Sequence, residues 1–177
     1  MTSPKRTAAQ AVADFEASFD AYWPRIYAHL LGMLGDPAEA QDLALETFYR
    51  LSAKPAVESE QMTGWLYRVA TNLGLNALRA RRRRQRYEQA ACEQDFLLHP
   101  PLDPAQEAER RVERQLVRQA LAQMPPRQAQ LLLLRQAGFS YQELAQALEL
   151  NPASVGKLLS RAQAEFARRF HLLEGGV

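Results

Sequence analysis

A chain of 177 residues with a formal net charge of only +2 is sized for one ordinary domain or two small ones. Its content, 47 % apolar and 24 % charged, is globular rather than disordered. Cys92 is the single cysteine, so no internal disulfide is possible, and His29, His99 and His171 have no Cys or Asp beside them at ligand spacing. No apolar run nears the ~18 residues a membrane span needs, and the polar start "MTSPKRTAAQ" lacks a signal peptide's apolar stretch. The expectation is a reduced, cytoplasmic protein without metal or other cofactor and without membrane insertion. No nucleophile–base pair or phosphate-cradling glycine loop suggests an enzyme.

Ala, Leu, Glu, Gln and Arg dominate and β-branched residues are few, so propensity favours helix almost throughout. Pro24, after Trp23, is expected to sit in the first turn of a new helix. Gly35-Asp36-Pro37 ends one helix and starts the next. "KPAVES", from Lys54 to Ser59, reads as a loop, and Pro100, Pro101 and Pro104 mark a linker. Pro125-Pro126 and Gly138 punctuate the last part of the chain. The fold class expected is all-α, with two small helical domains joined by an acidic flexible linker. The divisions are a polar tail (1–13), an N-terminal module (14–86), the linker (87–110), a C-terminal module (111–173) and a short tail (174–177).

In "DPAEAQDLALETFYRL" the residues Leu43, Thr47 and Leu51, with Ala40 and Phe48, share an inner face, while Glu39, Asp42 and Glu46 share an outer one. Three carboxylates in a row are either a solvated surface or a docking face for a basic partner. In "MTGWLYRVATNLGLNALRARRRRQR", Leu66, Val69, Leu73 and Ala77 are expected in the core. Arg68, Asn72, Asn76, Arg79 and Arg83 follow one another at helical spacing on another face. Arginine suits phosphates and asparagine can bond a base edge in a bidentate way. Trp65 and Tyr67 are either core aromatics or platforms for an unpaired base.

"RARRRRQR" holds six arginines in eight residues, and the following 23 residues hold six acids and no Lys or Arg. So dense a cationic run favours contact with phosphates over a merely solvated tail. Two modules on such a tether can grip two separated sites on one target.

The C-terminal module carries the sharpest pattern, "FSYQELAQALELNPASVGKLLSRAQ". Ser140 and Glu143 form a capping box. Leu144, Ala145 and Leu148 face inward, and Asn151-Pro152 caps and opens a second helix after a very short turn. Val155, Leu159, Ala162 and Phe166 make a buried stripe, leaving Lys157, Ser160, Arg161 and Arg168 on the opposite face. This is the helix-turn-helix pattern, whose second helix enters the major groove.

Taken together, these stretches resemble an extracytoplasmic-function (ECF) sigma factor, the promoter-recognition subunit of bacterial RNA polymerase. "YWPRIYAHLLGMLGDPAEAQDLALETFYRL" and "GWLYRVATNLGLNALRARRRR" resemble the family's region 2, and "MPPRQAQLLLLRQAGFSYQELAQALELNPASVGKLLSRA" its region 4. The resemblance implies that Glu39, Asp42 and Glu46 dock on the beta-prime clamp helices of core polymerase. It implies minus-10 contacts from Arg68, Asn72, Asn76, Arg79, Arg82 and Arg83. The loop from Lys54 to Gln61 falls where the family pockets a flipped base. Ser154, Lys157, Ser160, Arg161 and Arg168 fall where region 4, seated on the beta flap, reads the minus-35 element. The acidic linker resembles the segment that threads the polymerase's RNA path, and an anti-sigma factor is a further partner the family suggests. A free-standing helix-turn-helix regulator is the competing reading.

The chain departs from the family's pattern in three places. Leu45 stands where glutamine is frequent, so a polar core contact is expected to be missing. Glu149 replaces a common glycine in the turn. Gly156-Lys157-Leu158 replaces Lys-Ser-Arg, which implies weak or unusual minus-35 recognition.

Overall fold

The structure is a computed structural model that describes residues 8–53, 59–88 and 104–175. Among the described residues there are seven helices and no strand. They are α1 (Ala8–Leu34), α2 (Pro37–Ser52), α3 (Ser59–Glu88), α4 (Pro104–Gln123), α5 (Pro126–Gln136), α6 (Tyr141–Leu148) and α7 (Pro152–Glu174). Much of the expected loop and the centre of the expected linker, with Cys92, lie outside the described residues. No helix among the described residues is long and apolar enough to cross a membrane.

Pro24 does not begin a helix: α1 runs through it, starting inside the expected N-terminal tail. Proline removes one backbone bond and crowds the carbonyl four residues back. That carbonyl belongs to Asp20, on the exposed side of α1. Packing on the other side outweighs the loss. Phe15, Phe19, Trp23 and Tyr27 form a ladder of rings along α1, and both Phe19 and Trp23 lie against the buried Phe48 of α2.

The α1–α2 turn is as its sequence suggests. Gly35 takes φ +68°, and Asp36 caps α2 by accepting from Ala38 N at 3.0 Å and Glu39 N at 3.1 Å. Ala40, Thr47, Phe48 and Leu51 are buried and Leu43 half-buried, the inner face expected of α2.

Helix α3 departs from expectation by about one residue of rotation. Its buried arc is Leu66, Tyr67, Ala70, Thr71, Leu75 and Leu78, while Val69, Leu73 and Ala77 are only half-buried. The reason is that α3 is packed from two sides: α1 and α2 on one, and α4, α5 and α6 of the C-terminal module on the other. Tyr67 sits at this junction, edge-on to His29 of α1 and to Phe139 before α6, each at 5.1 Å. It is a core aromatic, and Trp65 packs half-buried against the same core.

His29 ties α1 to α3, with Nε2 2.9 Å from Thr71 Oγ1. Burial of the ring lowers its pKa from 6.5 to about 4. The folded protein therefore binds this proton more weakly than the unfolded chain. The associated stability is complete above about pH 6.5 and is lost as pH falls through about 4. Unfolding free energy should drop across that window by about 3 kcal/mol. A denaturant series at several pH values checks this, and His29→Gln should flatten that part of the profile.

Candidate nucleic-acid and polymerase interfaces

Helix α7 presents the face its periodicity promised. Val155, Leu159 and Ala162 are buried, and Lys157, Ser160, Arg161 and Arg168 are exposed. Ser154 is half-buried in the first turn. The capping box is complete: Ser140 N donates to Glu143 Oε2 at 2.7 Å, and Glu143 N donates to Ser140 Oγ at 3.3 Å. Asn151 caps α7 by accepting from Ala153 N at 3.0 Å. Arg168 is not a bare cation, because Glu165 takes a two-pronged hydrogen bond from it at 2.9 and 3.0 Å. That pair, first through Arg168 and then Arg169, holds the Glu165 carboxyl down to about 2.

The two departures in α7 have different outcomes. Leu158 is half-buried and lines a crevice with Leu148, Leu150 and Leu131, so it serves the interior rather than the outer face. Gly156 is a helical position whose added Cβ would meet only Tyr141 Cε2, at 3.5 Å, an ordinary contact. Gly156→Ala should therefore raise unfolding stability by about 1 kcal/mol, read as a higher melting temperature.

Helix α2 carries Asp42 in the open and Glu46 partly covered beside Arg50 at 2.8 Å. Leu45 is not in the core: it is 47 % exposed, and Tyr49, one turn on, is 69 % exposed. An aliphatic and an aromatic side chain thus share an outward face with two carboxylates. Glu39 belongs elsewhere. Arg81 of α3 bonds it at 2.9 Å, lies 3.5 Å from Asp36, and also donates to Leu34 O at 3.4 Å. Glu39 and Arg81 therefore clamp the α1–α2 turn to α3, so one arginine of the run is held by acids of its own module.

The ridge on α3 is where tertiary structure intervenes. Arg68 Nη1 donates to Ala147 O at 3.1 Å and to Glu149 Oε1 at 2.9 Å. Gln130 donates to Asn72 Oδ1. Arg79 reaches Met124 O at 3.4 Å, and burial pulls its pKa below the ordinary arginine value. Gly64 faces α6: a Cβ there would lie in contact with Ala147 Cβ at 3.4 Å, with no room beyond it for a longer side chain. Three of the six expected minus-10 residues are thus engaged by the C-terminal module. Asn76 and Arg83 stay exposed, and Arg82 lines a separate crevice.

Glu149, the turn residue in place of glycine, takes φ 54° and ψ 50°, the left-handed conformation that ends α6. Leu150 N closes the motif on Ala145 O at 2.8 Å. Local sequence rules mark this position for glycine. Only the fold shows that its carboxylate reaches Arg68. Leu45 and Tyr49 were legible in principle, since both fall outside the stripe Ala40, Ala44, Thr47, Phe48 and Leu51.

The described residues form two helical modules, one ending in a capped helix-turn-helix and the other carrying a basic, amide-bearing helix. Comparison with known proteins makes the class specific. The "Sigma-70 region 2" family model matches residues 19–84, and "Sigma-70, region 4" matches residues 114–165. The ECF RNA polymerase sigma factor SigG of Mycobacterium tuberculosis is 30 % identical over 188 residues, covering 92 % of this chain and 50 % of SigG. SigE of Mycolicibacterium smegmatis is 30 % identical over 148 residues, covering 80 % of this chain and 55 % of SigE. The chain thus spans about half the length of these curated relatives. A solved structure of the sigma factor RpoE with the anti-sigma factor NepR, from Bartonella quintana, shares the fold at TM-score 0.50. That match has 18 % identity and covers 89 % of this chain and 97 % of RpoE. The chain belongs to the sigma-70 family, in its extracytoplasmic-function branch.

Proposed function

We propose that this chain is a promoter-specificity subunit, a non-catalytic protein that works with bacterial core RNA polymerase in the cytoplasm. Asp42 and Glu46, with Leu45 and Tyr49, dock on the clamp helices of the beta-prime subunit. Arg68, Asn72, Asn76, Arg79, Arg82 and Arg83 on α3 contact the minus-10 element and support strand opening. Ser154, Lys157, Ser160, Arg161 and Arg168 on α7 face the minus-35 element while the C-terminal module sits on the beta flap. Glu39 acts indirectly, by fixing the α2 face through Arg81.

The observation that carries this reading is the exposed apolar-and-acidic face of α2 on the same chain as two DNA-type helices. A free-standing regulator has no use for such a face. In the closed arrangement, Arg68, Asn72 and Arg79 are bonded to the C-terminal module. Docking on polymerase must part the two modules before α3 meets DNA. An anti-sigma protein that clasps both modules would oppose that step.

The test is transcription in vitro with sigma-free core polymerase and fragmented genomic DNA of the host. Discrete starts should require the protein and vanish with Asp42→Arg combined with Glu46→Arg. Tight DNA binding by the protein alone, with no new starts, would instead favour the free-standing regulator.

A further inference from the structure

A cavity of about 910 Å³ lies at the seam between the modules. Arg81 and Arg82 of α3 and Arg111, Arg114 and Arg118 of α4 line it, with Gly35 and the end of α1 at its floor. The three arginines of α4 follow one another at spacings of three and four, so they share one face of the helix.

The cavity is built rather than incidental. Arg118 Nε donates to Met33 O at 3.1 Å, so its guanidinium is fixed against the floor. A Cβ on Gly35 would lie 2.1 Å from Arg118 Nη2, so the cation occupies space that only glycine leaves open. Burial, then the charges of Arg81 and Arg114, lower the Arg118 pKa. Like charges are therefore held within reach of one another in partly desolvated surroundings. Arg82, Arg111 and Arg114 already interact with other groups, and Arg81 with Glu39 and Asp36, so an entering ligand adds to or exchanges with existing partners.

Planar guanidinium forks match phosphate oxygens in pairs. Five of them surrounding one cavity call for several phosphates rather than one. The volume is in the range of small-molecule sites, ~300–1,000 Å³, which admits a linear oligophosphate with or without a nucleoside. We propose that this seam is a binding site for an oligophosphate anion, which bridges α3 to α4 and holds the two modules together. The site would give the closed arrangement a small-molecule ligand, and it stands whether or not the chain acts at promoters.

The full-length protein is titrated with sodium tripolyphosphate by calorimetry at about 0.1 M salt, where diffuse surface attraction is screened beyond ~10 Å. One-to-one binding is expected, weakened by roughly 30-fold or more in the double variant Arg111→Gln, Arg114→Gln. The double variant Lys157→Gln, Arg161→Gln, on the other basic face, should bind as the native protein does. Titrations with ATP and GTP separate the sources: tighter binding than tripolyphosphate means that a nucleoside is also recognised, and equal binding that the phosphate chain suffices. A ligand-induced rise in melting temperature that is present in native protein and missing from the Arg111/Arg114 variant guards against misfolding as the cause. No binding, or equal weakening in both double variants, overturns the proposal. So does a short DNA duplex whose binding depends on Arg111 and Arg114 when tripolyphosphate does not bind.

Discussion

Replacing Asp42 and Glu46 together with arginine is expected to weaken binding to core polymerase by roughly 100-fold, close to 3 kcal/mol, and to abolish promoter-dependent starts. Reversing two charges at an interface turns attraction into repulsion and leaves the partner's cations unpaired. The fold has little at stake in either residue. Asp42 is exposed, and Glu46 contributes only an exposed pair with Arg50, worth about 0.3–0.5 kcal/mol. Melting temperature should therefore barely move while polymerase affinity collapses. Tyr49→Ala should also weaken docking, because an aromatic side chain 69 % exposed in the free protein becomes an anchor only in a complex. Fluorescence anisotropy of labelled protein against core polymerase measures both. Retained affinity in the double arginine variant would move the docking site away from α2.

The second large effect is expected at the seam between the modules. Gly64→Leu places a branched side chain where even a Cβ would be 3.4 Å from Ala147 Cβ. Overpacking costs about 1–3 kcal/mol, and here it falls on the contact between α3 and α6 rather than on either module's own core. The closed arrangement should yield to open ones by roughly 10–100-fold. Small-angle scattering should report a larger radius of gyration, and the free protein should bind a single-stranded minus-10-type oligonucleotide more tightly. An unchanged radius with unchanged oligonucleotide affinity would mean that the cover over α3 does not limit DNA access.

Glu149→Gly separates two effects at one residue. The left-handed conformation costs a non-glycine residue roughly 1–2 kcal/mol, so the substitution should make the C-terminal module itself more stable. It also removes the carboxylate that meets Arg68 at 2.9 Å. That pair is largely exposed on the Glu149 side, and its loss should loosen the closed arrangement by only about 0.2–1 kcal/mol.

The presence of two helical modules, the helices α2, α6 and α7 and the outer face of α7 were legible in the sequence because each rests on short-range rules, whereas α1 begins in the expected tail and α4 in the expected linker. A capping box, an Asn-Pro start and a four-three-four stripe are satisfied within a few turns of chain. Asp36 and Gly35 were readable for the same reason. Pro24 misled because its local penalty is outweighed by rings on α1 and on α2, and no window of sequence shows that stack. Glu39 looked like its neighbours Asp42 and Glu46 by spacing alone, but Arg81, far along the chain, takes it out of the group.

The sequence by itself determined an all-helical chain, its modular division and the chemistry available on each helix, because period and capping are properties of contiguous residues. The tertiary structure alone decided which of those faces stay open. Burial of α3 from two sides turned its core arc, bonded Arg68, Asn72 and Arg79 to the C-terminal module, and gathered five arginines from two helices around one cavity. Hydrogen bonds and charge pairs between residues so far apart in the chain depend on how whole helices meet, and no local periodicity encodes that.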